Sequence, residues 1–328
     1  NLPGGIPASL LYDFILRHQR SATIKFSDPS YLELCQKYLQ YCRAAEDIVN
    51  ELGPTAIIAS HALSATGPLV WFGLLKGARV IVPFGANGVA WYWSLTDTKQ
   101  IFDLQDRPTY EEINLLPDDK RKDLRELGKK IINRRLDGDV QEFGPRKAFR
   151  ERHAFVDRIS LCKKMSWKIE KPIVAVYISN WFDFPHTYGM RNFSNFLDWI
   201  NSILEVARKT SHCNWLLKPH PCDKWYGGVT IEQLVDVENS DHIGIANDSW
   251  SGKYVLKAID AVITCHGTIG LEATSMGVPV LVSDRGWYDT IGFVKTVRNR
   301  DDFINKIATS WWVDMDMRRN QDLANTFI

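Results

Sequence analysis

Two short stretches carry side chains suited to gripping a phosphate. The first, Leu216-Leu-Lys218-Pro-His220-Pro221, puts an ammonium and an imidazole two residues apart, in a chain stiffened by two prolines. The second, His266-Gly267-Thr268-Ile-Gly270-Leu-Glu272, is a Gly/Thr turn that opens a helix. Free N–H groups at a helix start, with the positive end of its dipole, bind anions. Glu272 lies one turn further in, where a carboxylate can accept two ribose hydroxyls or simply favour the dipole. Thr268 suits a phosphate clamp with the backbone of Gly267 and Gly270, and it also suits a plain helix cap. His266 lines the same turn.

The elements around these residues explain why they should converge. Residues 260–264 and 278–283 are apolar, β-branched runs of the kind buried in parallel sheets. The helix between them ends at Gly277 and Pro279. Residues 214–218 form another short strand, which delivers Lys218 and His220 at its carboxyl end. The surrounding chain alternates strand 173–178, helix 193–210, strand 214–218, a helix near 230–236, strand 242–245, helix 251–258, strand 260–264, helix 268–276 and strand 278–283. That order predicts a doubly wound parallel sheet, whose ligand crevice lies at the carboxyl ends of neighbouring strands. Lys218, His220, His266, Gly267, Thr268 and Glu272 are thus expected around one pocket for an anionic ligand.

Upstream, strand 56–60, helix 67–76 and strand 79–83 read as a right-handed β-α-β unit. His61 occupies its strand-to-helix loop and is a candidate base. Residues 84–88 read as a flexible loop, with Trp91-Tyr-Trp93 just beyond. Between Lys120 and Arg152 lie twelve Lys or Arg interspersed with acids, expected as a solvated helical segment of the first domain. Domains are expected at 1–168 and 169–300, joined near 165–172. Residues 301–328 are a helical tail expected to cross back to the first domain.

With 328 residues, 45% hydrophobic and 24% charged, the chain is long enough for two globular domains. A net charge of +1 offers no field for nucleic acid, so none is expected as a partner. Six cysteines without a CxxC pair read as reduced thiols of a cytoplasmic protein. No apolar run is long enough to span a bilayer. Asp137-Gly-Asp139 and Asp314-Met-Asp316 match a metal-binding Asp-x-Asp pattern, but neither follows a strand, and no metal or other cofactor is expected.

Over residues 172–295 the sequence resembles the bacterial capsule-polysaccharide synthesis glycosyltransferases, which have the two-Rossmann-domain GT-B fold and include enzymes that transfer Kdo from CMP-Kdo. The resemblance rests on His220-Pro221, on Thr268-Ile-Gly270-Leu-Glu272-Ala with Gly277-Val-Pro279-Val, and on Gly286-Trp-Tyr with Gly292-Phe. It implies an α/β protein of two Rossmann-like doubly wound domains facing a cleft. It also implies transfer of a sugar, first choice Kdo, from a nucleotide-sugar donor to an oligosaccharide or glycolipid acceptor of the cell surface. His220 and Pro221 would then contact donor phosphate, and Asn247-Asp248-Ser249 would reach the nucleoside or merely cap the next helix. Asp183 or His186, in the loop after strand 173–178, would supply a nucleophilic carboxylate or a base, depending on stereochemistry. A cytoplasmic enzyme at the inner face of the membrane, touching it or other assembly proteins, fits this reading. A CDP-polyol phosphotransferase and a non-catalytic nucleotide- or glycan-binding subunit are the alternatives.

Overall fold

The computed structural model describes residues 2–60, 62–86, 89–102, 108–140, 146, 149, 154–235 and 240–328. Its contacts divide the chain into two compact units, Asn1–Asp106 with Trp181–Arg191, and Arg107–Asn180 with Asn192–Ile328.

The first unit begins with helices α1 (Ala8–Gln19) and α2 (Ser30–Leu52). In α2, Leu34, Tyr38, Cys42, Ala45 and Val49 recur at helical spacing and are buried, and the Tyr38 ring meets Phe14 of α1 at a tilt, 5.1 Å between centroids. Gly53 ends α2 in the left-handed region, its N–H returning to the Val49 carbonyl, before Pro54 prevents continuation. Strand β1 (Ala56–Ile58), helix α3 (Thr66–Leu75) and strand β2 (Arg79–Ala86) follow, with β1 and β2 parallel as expected. Strand β3 (Val89–Leu95) was not expected. It pairs antiparallel with β2 along the whole run from Val80↔Leu95 to Ala86↔Val89. Residues 84–86 are therefore strand, not flexible loop, and the Trp91-Tyr-Trp93 run beyond them lies in β3. Val and Trp at alternate positions, with Asn87-Gly88 between the runs, are the signal for a hairpin.

The second unit opens with α4 (Tyr110–Leu115) and α5 (Asp118–Leu136), then α6 (Arg158–Met165) and strand β4 (Ile173–Tyr177). Helix α7 (Phe196–Lys209), strand β5 (Asn214–Lys218), short helices α8 (Asp223–Tyr226) and α9 (Ile231–Leu234), and strand β6 (Ile243–Ile245) come next. Helix α10 (Gly252–Ala258), strand β7 (Ala261–Thr264), helix α11 (Ile269–Ser275), strand β8 (Val280–Val282), helix α12 (Arg300–Ile307) and helix α13 (Met317–Phe327) complete the chain. All five strands are parallel, in the order β6-β5-β4-β7-β8. This is the doubly wound arrangement the alternation predicted. One face of the sheet is covered by a core that includes Ile132 and Leu136 of α5, Leu161 of α6, Val255 of α10, Leu271 of α11 and Leu323 of α13. Each such aliphatic side chain, fully buried, contributes about 1.5–3 kcal/mol.

Three expected boundaries are corrected here. The charged segment belongs to the second unit, not to a first domain ending at 168. Its helix α5 is charged on most sides, but Gly128, Ile132 and Leu136 form a narrow buried stripe at four-residue spacing. Gly128 sits against the Asn325 backbone, where an added Cβ would come within 1.9 Å of the carbonyl oxygen. The terminal helix α13, expected to cross back to the first domain, accordingly packs on α5 and α11 within the second unit. Residues 181–191, expected to crown β4, belong to the first unit.

Candidate functional site

Register sets the level of the strand ends in the second sheet. Tyr177, the last residue of β4, pairs with Lys218 on one side and Thr264 on the other. The segments carrying His220 and His266 therefore leave the same edge, flanking β4. The two strands were expected to be neighbours and are instead separated by β4, which spaces them about 10 Å apart. In this strand order the reversal of winding falls beside β4, the place where doubly wound sheets hold ligands.

On the β5 side Lys218 is buried, and Nδ1 of His220 accepts the Cys222 N–H at 3.2 Å. That contact leaves Nε2 to carry the ring proton. Pro221 follows directly. Beyond β6, Asn247 Oδ1 accepts both the N–H and the hydroxyl of Ser249, at 2.9 and 2.6 Å, making Asn247-Asp248-Ser249 a tight side-chain-closed turn. The Ser249 carbonyl accepts the Ala154 N–H at 3.1 Å, which anchors that turn.

On the β7 side the turn differs from expectation in detail. The Gly267 N–H donates to Thr264 Oγ1 at 3.3 Å, and the Gly270 N–H to the Gly267 carbonyl at 3.0 Å. Neither N–H is open to a phosphate. The open donors among the described residues are the N–H groups of Thr268 and Ile269, at the exposed start of α11. Thr268 makes no side-chain cap. Gly270 is glycine because Tyr288 packs there: an added Cβ would lie 2.0 Å from its hydroxyl oxygen. That hydroxyl donates to the Gly267 carbonyl at 2.6 Å and shapes the turn. Burial pushes the Tyr288 phenol well above its ordinary pKa, with the nearby Cys265 and Glu272 adding to it, so it stays a donor. His266 stacks obliquely on Phe196 at 5.8 Å.

Glu272 is nearly fully buried and forms an ion pair with Nε of Arg135, from the last turn of α5. Nothing in the sequence pointed to this partner, 137 residues away. Tyr177 is a second residue that sequence reasoning missed. Its hydroxyl is buried without a hydrogen-bond partner among the described residues. Burial raises its pKa, and the Glu272 carboxylate raises it further. It stands as a neutral donor at the strand end between the two predicted segments.

The other predicted residues are placed elsewhere. His61 lies outside the described residues. Asp183 and His186 are in the first unit, in a segment held by buried Trp181, Phe182 and Met190 and by Arg17, whose guanidinium lies 5.3 Å from the Phe182 ring. Phe184, between them, adopts a left-handed φ of +46°, a strained conformation for a bulky residue. His186 has a partner the sequence did not suggest. Its Nδ1 is 2.7 Å from Oδ1 of Asp13, a residue of α1 that is 1% exposed. Asp13 Oδ2 accepts the Thr187 N–H at 3.0 Å and its hydroxyl at 3.1 Å. Tyr12 meets the His186 ring edge-on at 5.1 Å. A carboxylate so engaged fixes the imidazole tautomer and orientation, and leaves Nε2 to exchange a proton. The available signal was Asp13 itself, an acid between Leu10 and Phe14 on the buried stripe of α1.

Asp137 pairs with Lys253, Asp139 pairs with Arg134, and Asp316 caps α13. Among the described residues no helix is long and apolar enough to cross a membrane.

No protein-family model matches the chain, and no curated protein matches its sequence at a significant level. Solved structures do resemble it. KpsC of Thermosulfurimonas dismutans, a beta Kdo 2,4 transferase, aligns with a TM-score of 0.51 at 9% identity, over 83% of this chain and 78% of that one. A beta Kdo 2,7 transferase KpsC of the same organism gives 0.48 at 14% identity, over 87% and 80%. MnaA of S. aureus, in a co-structure with UDP, gives 0.38 at 13% identity, over 89% and 76%. The first of these likenesses establishes the fold: a Rossmann-like α/β architecture of the kind found in GT-B glycosyltransferases.

Proposed function

We propose that this protein is a glycosyltransferase that takes a sugar, first choice Kdo from CMP-Kdo, from a nucleotide-sugar donor and places it on a bacterial surface glycan. The observation that carries the reading is the common level of Lys218, Tyr177 and Thr264 at one sheet edge. It gives a departing nucleotide phosphate an imidazole Nε2, a lysine and the open N–H groups of Thr268 and Ile269. Donors aimed at charge that develops on a leaving group lower the barrier to its departure. Glu272, with one oxygen on Arg135, keeps the other for a ribose hydroxyl. Asn247-Asp248-Ser249 leaves the same edge, from β6. Charge on the phosphate is met by these groups, and the proposal includes no metal or other cofactor.

Acceptor activation is assigned to His186 in the first unit. Its Nε2 accepts the acceptor hydroxyl proton as the oxygen attacks, while Asp13 holds the ring and offsets the charge it gains. A cytoplasmic location at the inner face of the membrane belongs to the same proposal.

The test is a nucleotide screen followed by turnover. CMP should raise the melting temperature more than CDP, UDP or GDP, and the purified protein should hydrolyse CMP-Kdo slowly without acceptor. His220→Ala should abolish hydrolysis with the fold intact. Stabilisation by CMP with no hydrolysis identifies a binding subunit. Preference for CDP, with turnover of a CDP-polyol, identifies a phosphotransferase. Indifference to every nucleotide sinks the proposal.

A further inference from the structure

Helices α5 and α13 run side by side in the same direction. Arg125 meets Asp322 at 2.8 Å, and three residues further along each helix Gly128 meets Asn325. Parallel helices bring their N-terminal ends together, and at that shared end, beside α4, lies a cleft of about 520 Å³. Four arginines line it, Arg121, Arg125, Arg318 and Arg319. Arg121 is paired with Asp118, and Arg125 with Asp322. Arg319 lies 5.0 Å over the Tyr110 ring and donates to the Gly292 carbonyl at 3.3 Å, which holds its planar group in place. Arg318 has no ion pair among the described residues. Arg319 and Asn114, by hydrogen bonding to the Tyr110 hydroxyl, lower its pKa, a mark of positive potential at this wall.

The cleft is separate from the strand-edge site. Arg135, which holds Glu272, lies ten residues beyond Arg125, about 15 Å along the axis of α5. Gln321, next to Asp322, donates to the carbonyl of Ser275 at 2.8 Å, at the end of α11 away from Thr268.

We propose that this cleft binds an acidic oligosaccharide, through a carboxylate or phosphate on one of its sugars. The guanidinium fork matches either oxyanion in two-point contact. Four arginines against Asp118, Asp316 and Asp322 leave one net positive charge, enough for one uronate carboxylate in a cleft of one or two rings and too little for a run of phosphodiesters. The carboxylates, Asn114 and Thr326 suit sugar hydroxyls, and Ile113 and Leu323 offer an apolar floor to the C–H face of a ring. The volume is that of a small-ligand site and accommodates one or two sugar rings. The proposal does not depend on the strand edge holding a nucleotide.

The experiment titrates the full chain by calorimetry with tetragalacturonate, maltotetraose and inorganic phosphate. Tetragalacturonate should bind saturably, and Arg318→Glu and Arg121→Glu should each weaken it by about tenfold or more. Maltotetraose and phosphate should each bind at least about tenfold more weakly than the acidic chain. Equal binding of maltotetraose overturns the role of charge, and equal binding of phosphate overturns the sugar in favour of a bare oxyanion site. Unchanged affinity in Arg318→Glu, an exposed position whose replacement leaves the core intact, overturns the location. The CMP-induced shift in melting temperature, measured on the same variants, should be unaltered, which keeps this test apart from that of the nucleotide site.

Discussion

The two units build their chemical groups in different ways. In the second unit the candidate donor residues lie within a few positions of strand ends, and backbone register alone brings them level. In the first, the Asp13–His186 pair joins residues 173 apart through side-chain contacts, after a loop has packed onto α1. A site carried by strand ends is inherited from topology, so it survives many changes of side chain. A site made by packing exists only while that packing holds. The first kind should therefore lose binding in small steps when altered, and the second should lose activity abruptly.

After the loss of hydrolysis expected in His220→Ala, the largest effect is expected at His186. His186→Ala should lower transfer by about 10²–10⁴-fold in kcat, with CMP affinity unchanged. Equal losses in kcat and in nucleotide affinity would erase the distinction between the units. Asp13→Asn should cost about 1–3 kcal/mol of stability, because the Thr187 N–H and hydroxyl lose a charged acceptor, and should lower kcat while leaving KM near its original value. A normal rate in a stably folded Asp13→Asn variant refutes the positioning role. In the second unit, Arg135→Ala strands the buried Glu272 carboxylate and should cost roughly 3 kcal/mol by denaturant unfolding, while Arg135→Ala combined with Glu272→Gln should recover much of it. Gly270→Ala should cost about 1–3 kcal/mol through collision with the Tyr288 hydroxyl, and adding Tyr288→Phe should return part of that loss. The smallest effect is expected at Tyr177. Tyr177→Phe should leave stability within about 0.5 kcal/mol, since its hydroxyl has no partner among the described residues, and weaken CMP by a few-fold at most.

Much of the second unit was legible in advance. Strand β5 and the turns on either side of α11 fall within a residue or two of the expected bounds, because β-branched runs closed by Gly and Pro have few other solutions. The position of β4 between β5 and β7 was not legible, since strand order depends on which faces the crossing helices cover. Nor was the role of Gly270, whose backbone was expected in a phosphate clamp and whose missing side chain makes room for Tyr288. Helix α5 misled because its composition is dominated by charge, while three residues of its buried stripe decide where it packs. Asp13 carried no local mark, since a single acid in an amphipathic helix looks alike whether it faces solvent or a buried partner.

The chain's local chemistry determined by itself the alternation of elements, the parallel second sheet and the residues that its strand ends present. Hydrophobic period and turn residues act over a few positions, and those features need nothing more. The partners of Glu272 and His186, the unit to which α5 and residues 181–191 belong, and the arginine cleft between α5 and α13 were decided only by tertiary packing. Each joins segments far apart in the chain, and such contacts form only where buried area and shape complementarity repay the ordering of both sides.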